Sequence, residues 1–165
     1  NREVVLVTGS NGKTNAAFPE RVWVRKADVR QRIAEYEMFV STATDENRRK
    51  NYTKVLQNWR EKLTTITLLG GDFKELPSSA LISMQNDNNT TYNTYLQVQN
   101  ELQSAVNELR DELAVAKFGR TYKELEDLYD RNADDKALLS KIVAVRSVYP
   151  QRISEAEPRE GSTYY

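Results

Sequence analysis

The residues whose types and spacing first raise the prospect of chemistry are Gly9, Asn11, Gly12, Lys13 and Thr14, directly after the apolar, β-branched run 3–8. A glycine-rich loop holds phosphate when successive backbone N–H groups and a helix N-terminus converge on the anion, with Lys and a hydroxyl completing the site. Here the strand half of that context is present and the helix half is missing. Pro19 follows Thr14 by five residues, and 14–20 carry no helical apolar stripe. Val7 also stands where the general phosphate-loop pattern needs its first glycine. Asn11 and Gly12 suit the positive φ angles of a tight turn, so the segment reads as a hairpin between 3–8 and the alternating run 21–25.

The form G-x-N-G-K-T resembles the phosphate loop of Mur ligases and folylpolyglutamate synthases, which would imply an ATP-dependent ligase fragment. Such a fold needs a much larger nucleotide domain and a Mg²⁺-binding acid on a later strand. The other polar groups are no more pointed. Glu108 and Glu112 share a helix face with Asp111 beside them, but no imidazole or apolar pocket is evident to shift their pKa values. With Arg110 and Lys117 available to pair with them, they read as a solvated face. Asp72, Glu75 and the Asn/Asp run 86–89 lack the alternating ligands, central glycine and distant Glu of a calcium loop, and read as turns and caps. Tyr92 and Tyr95, at the start of an amphipathic helix, read as rim and core.

The composition narrows the classes further. There is no Cys and no His, which removes thiolate and imidazole catalysis, disulfides and most zinc sites. Lys plus Arg is 24 and Asp plus Glu is 24, so there is no cationic surplus for displacing phosphate counterions. Arg48, Arg49 and Lys50 therefore read as a solvated helix face, and nucleic acid is not an expected partner. The expectation is a protein that is not an enzyme and needs no cofactor or metal.

The elements are those of an α+β fold, a small sheet with helices packed on one face plus an inserted helical segment. Val22 and Val24 alternate with Trp23. A helix from Ala27 carries Val29, Ile33, Tyr36 and Val40 at helical spacing, and Asp45 can cap a second helix to about Leu63. After the breakers Gly70, Gly71 and Pro77, residues 79–85 read as a strand. The strongest helix spans 91–118, with Tyr95, Val98, Leu102, Val106, Leu109 and Leu113 along one side and Gly119 as terminator. One or two helices follow over 124–144, then Pro150 and a short extended segment at 152–156.

Residues 98–119 (VQNELQSAVNELRDELAVAKFG) and 148–158 (VYPQRISEAEP) closely resemble the C-terminal half of ExbD-family biopolymer transport proteins, in the long form found in Bacteroidetes. Residues 80–92 (ALISMQNDNNTTY) resemble the strand that leads into that family's main helix. The resemblance is strong over 80–158 and only architectural over 3–40. It implies an ExbD-like periplasmic domain over 1–158, a helical insertion at 41–76 and a flexible tail at 159–165. It further implies a subunit of the TonB–ExbB–ExbD complex, which couples proton-motive force to outer-membrane transport. The domain would dimerise and contact TonB, with peptidoglycan as a further contact. It would meet ExbB through a transmembrane helix lying upstream of Asn1 and anchoring it to the inner membrane. A TolR-like, peptidoglycan-binding subunit shares this fold and is the alternative within the class. The expected recognition mode is strand addition at Arg152, Ile153, Ser154, Glu155 and Ala156, weakened by proline at Ser154.

Overall fold

A computed structural model describes residues 20–77, 80–84 and 91–155. The run 3–8, the loop 9–14, the turn 86–89 and the tail 159–165 lie outside the described residues. The fold is α+β, dominated by helices.

Strand β1 (Val22–Val24) leads into helix α1 (Lys26–Thr42), and a short turn folds helix α2 (Glu46–Leu69) back against it. Asp45 caps α2 by accepting from the Arg48 N–H at 2.7 Å. The helix runs beyond Leu63 because its last turns bury Thr65, Ile66 and Leu69. It stops at Gly70, whose φ of +80° only glycine adopts without strain, and Gly71 N–H returns to the Ile66 carbonyl at 3.0 Å. At the far end of this hairpin the rings of Tyr36, Phe39 and Tyr52 meet at centroid distances of 5.4 to 6.2 Å.

Strand β2 (Phe73–Glu75) then pairs antiparallel with β1, Val24 opposite Phe73. The two strands close around the helical hairpin, and Val24, Val29, Ile66, Leu69 and Phe73 form one core cluster with Val148. The segment 41–76, read from the sequence as an inserted helix, thus supplies α2, β2 and several of those core residues.

Strand β3 (Ile82–Met84) precedes helix α3 (Tyr92–Phe118), helix α4 (Tyr122–Arg131) and helix α5 (Lys136–Val148), which together form the crossover to strand β4 (Ile153–Glu155). β3 and β4 pair in parallel, a geometry that requires such a long connection. Among the described residues the four strands make two separate two-stranded sheets, where the sequence had pointed to one. A second core cluster holds Ala114, Tyr122, Leu125, Ile142 and Val145, and Leu113 and Phe118 pack against both clusters. The C-terminal third of α3 is therefore the hub of the molecule.

Candidate functional site

The sequence-predicted edge sits where the long helix and the parallel strand pair come together. In β4, Ile153 lies opposite Ile82, Ser154 opposite Ser83 and Glu155 opposite Met84. The Ile82 N–H donates to the Arg152 carbonyl at 2.8 Å. In a parallel ladder this contact fixes which backbone groups face inward: those of Ser154 turn toward β3, whereas those of Ile153 and Glu155 turn away. Among the described residues no strand lies on that outer side of β4. Its outward N–H and C=O groups form an edge that can template an added strand. The Ser154 N–H belongs to the internal ladder, so a proline there breaks β3–β4 pairing before it touches the open side.

Beside this edge runs a cleft of about 400 Å³, walled by Val106 and Leu109 of α3, Ile82 of β3, Ile153 of β4, Leu76 and Ala80. The stripe that the sequence placed on α3 explains its apolar character. None of Tyr95, Val98, Leu102, Val106, Leu109 or Leu113 is fully buried, and Val98 is 47% exposed. Leu81, next to β3, is 54% exposed. The fold covers the C-terminal end of the stripe and leaves the rest only half covered.

Three arginines lock the walls. Arg152 donates through Nη1 to the Pro77 carbonyl. Arg21 donates through Nη2 to the Val148 carbonyl at 2.5 Å and lies over the Tyr149 ring at 4.8 Å. Its buried Nε finds no protein acceptor among the described residues. Arg110 donates through Nε to the Tyr149 carbonyl at 2.9 Å. β4 is thus held at its root from three directions.

Of the predicted edge positions, Arg152 is an anchor, Ile153 lines the cleft, Ser154 faces β3 through its backbone and Glu155 closes β4; Ala156 lies outside the described residues. Sequence reasoning missed Arg21 and Leu76, because only the tertiary fold brings them there.

Comparison with protein-family models, curated proteins and solved structures finds no match. The assignment of a role rests on residues and geometry.

The polar groups weighed in the sequence have structural partners. Asp72 Oδ1 accepts from the Lys26 N–H at 2.8 Å at the start of α1, and Glu75 pairs with Lys62 at 2.5 Å. Asp111 Oδ1 accepts from the Tyr122 N–H at 2.8 Å, while Glu108 and Glu112 face solvent. Arg110 and Lys117, expected to pair with those carboxylates, do otherwise. Arg110 is only 6% exposed, on the face that also carries Ala114, and Lys117 donates to the Leu69 carbonyl at 2.7 Å. Helical phase explains this: Arg110 is four residues after Val106 and three before Leu113, at the margin of the apolar stripe. Among the described residues, no helix is long and apolar enough to cross a membrane.

Proposed function

We propose that this chain is a partner-binding domain that takes up an extended polypeptide by strand addition to the outer side of β4, with the neighbouring cleft accepting alternate side chains. The observation that carries the reading is one surface combining a backbone edge with no strand on its outer side among the described residues and a half-covered apolar stripe. Main-chain hydrogen bonds give such a site affinity, and pockets for every second side chain give it selectivity. Apolar surface left this open on a folded domain marks an interaction site.

The resemblance over 80–158 supports a more specific version. In it the chain is the periplasmic part of an ExbD-type subunit, β4 meets a second copy or a TonB-type protein, and an upstream membrane anchor couples it to ExbB. Both segments carrying the closest resemblance border the cleft: 98–119 supplies Val106 and Leu109, and 148–158 supplies Tyr149, Pro150, Arg152 and Ile153.

Calorimetric titration with the periplasmic segment of a TonB-type protein tests this role, with peptidoglycan sacculi in a parallel sedimentation assay. Saturable binding of the TonB segment is expected. Binding to sacculi alone would move the chain to the TolR-like role, and binding to neither, with the chain monomeric in the ultracentrifuge, would overturn both.

A further inference from the structure

On the other side of α3 lies a second cleft, of about 530 Å³ and different chemistry, lined by Gln103, Asn107, Arg110, Glu126, Arg146 and Gln151 around the Tyr122 ring. Its two guanidiniums lie over that ring, Arg110 at 5.1 Å and Arg146 at 5.8 Å from the centroid. The two cations differ in one respect that matters. Arg146 is neutralised: its Nη2 pairs with Glu126 at 2.7 Å and its Nε donates to the Tyr122 hydroxyl, which in turn donates to Glu126 at 2.6 Å. Arg110 has no carboxylate. Its Nε is bonded to the neutral Tyr149 carbonyl, and among the described residues its Nη groups have no hydrogen-bond partner.

Arg110 is only 6% exposed as a residue, yet its Nη atoms are not among the buried groups left without a partner, so they open onto the cleft, where an anion can reach them. Burial pushes its pKa below the ordinary range, and the neighbouring Arg146 charge pushes the same way against the partial relief from Tyr122 and Glu126. Glu126, the one carboxylate lining this cleft among the described residues, is already held by Arg146 and Tyr122.

The carboxamides along the rim are ordered in one direction. Gln151 Nε2 donates to Gln103 Oε1, and Gln103 Nε2 donates to Asn107 Oδ1 at 3.2 Å. That relay leaves the Asn107 amide N–H₂ as a donor three residues from Arg110 on the same side of the helix. A planar fork of guanidinium N–H groups beside an amide donor matches a carboxylate, which accepts two parallel hydrogen bonds from such a fork.

We propose that this cleft binds the terminal carboxylate of a peptide, with Arg110 taking the carboxylate oxygens and the carboxamides of Asn107 and Gln151 meeting the adjacent peptide groups. The site is separate from the β4 edge, so either one can fail without the other.

The test titrates acetyl-glycyl-glycine, its C-terminal amide and inorganic phosphate into the full chain, followed by ¹⁵N chemical shifts that include the Arg110 Nε–H. The free acid should bind at least about tenfold more tightly than the amide, the scale of one charged hydrogen-bond pair. It should also shift the Arg110 Nε–H signal. Asn107→Asp, a change on the exposed rim, places a competing carboxylate at the guanidinium and should abolish that preference while leaving the circular dichroism unchanged. Equal binding of acid and amide, an undiminished preference in Asn107→Asp, or tighter binding of phosphate than of the acid would each overturn the proposal.

Discussion

The Nε–H of Arg110, in the middle of α3, donates to the main-chain carbonyl of Tyr149 at 2.9 Å, across 39 residues of sequence. This bond joins the hub helix to the turn from which β4 departs, and it separates the apolar cleft from the polar one. Loss of the side chain would leave a part-buried carbonyl without its donor. Arg110→Ala should therefore lower the unfolding free energy by about 2 kcal/mol in urea denaturation, the usual scale for a hydrogen bond to a charged group. Arg110→Lys should recover little of it, because an ammonium cannot both stack on Tyr122 and reach Tyr149 as a planar fork does.

The two core clusters should respond as cores. Ile66→Ala in the first and Leu125→Ala in the second, at residues 2% and 1% exposed, should each cost about 2 to 5 kcal/mol by thermal or urea unfolding. Asp45→Ala removes only the cap of α2 and should cost about 1 kcal/mol. Val98→Glu, on the open part of the stripe, should change stability by no more than about 0.5 kcal/mol.

Tyr122 makes stability depend on alkaline pH. Burial, reinforced by its hydrogen bond to Glu126, raises its pKa above the ordinary value of 10.0, against the opposing pull of Arg146. The folded state therefore holds the phenolic proton more tightly than the unfolded chain. Its contribution is fully present below pH 10 and is lost as pH rises through the elevated folded value. The melting temperature should fall above pH 10, and Tyr122→Phe should flatten that decline. At neutral pH the same variant should cost about 1 to 2 kcal/mol for the lost hydroxyl bonds.

Much of the helical part was legible because its signals are local. Asp45 and Gly119 stand where the sequence placed cap and stop, with Asp45 accepting from the Arg48 N–H and Gly119 at a φ of +70°; Thr91, read as the start of the long helix, is its cap and accepts from the Thr94 N–H. α2 outran its expected end at Leu63 because residues 64–67 are β-branched and read as a poor helix. Thr64 and Thr67 instead bond back to the Arg60 and Leu63 carbonyls, at 3.1 and 3.0 Å, and Ile66 is held by the core. The pairing of β1 with β2 was not legible, since 48 residues lie between Val24 and its partner Phe73 and no short turn announces it. The edge at 152–156 was placed from an extended segment after Pro150. Which of its amides point outward depends on the register with β3, and periodicity along one strand carries no information on that.

The register makes the central claim testable with single prolines. Glu155→Pro removes an N–H that faces away from β3, a position where an edge strand tolerates proline. Ser154→Pro removes one that faces β3 and should destabilise the β3–β4 pair whether or not a partner is present. Glu155→Ala controls for the lost side chain.

The deciding measurement is calorimetric titration of the TonB-type periplasmic segment into the wild type, Glu155→Ala and Glu155→Pro, with circular dichroism confirming that all three are folded. Strand addition at β4 predicts near wild-type affinity for Glu155→Ala and a loss of about tenfold for Glu155→Pro, the upper scale for one main-chain hydrogen bond. Undiminished affinity in folded Glu155→Pro would contradict it.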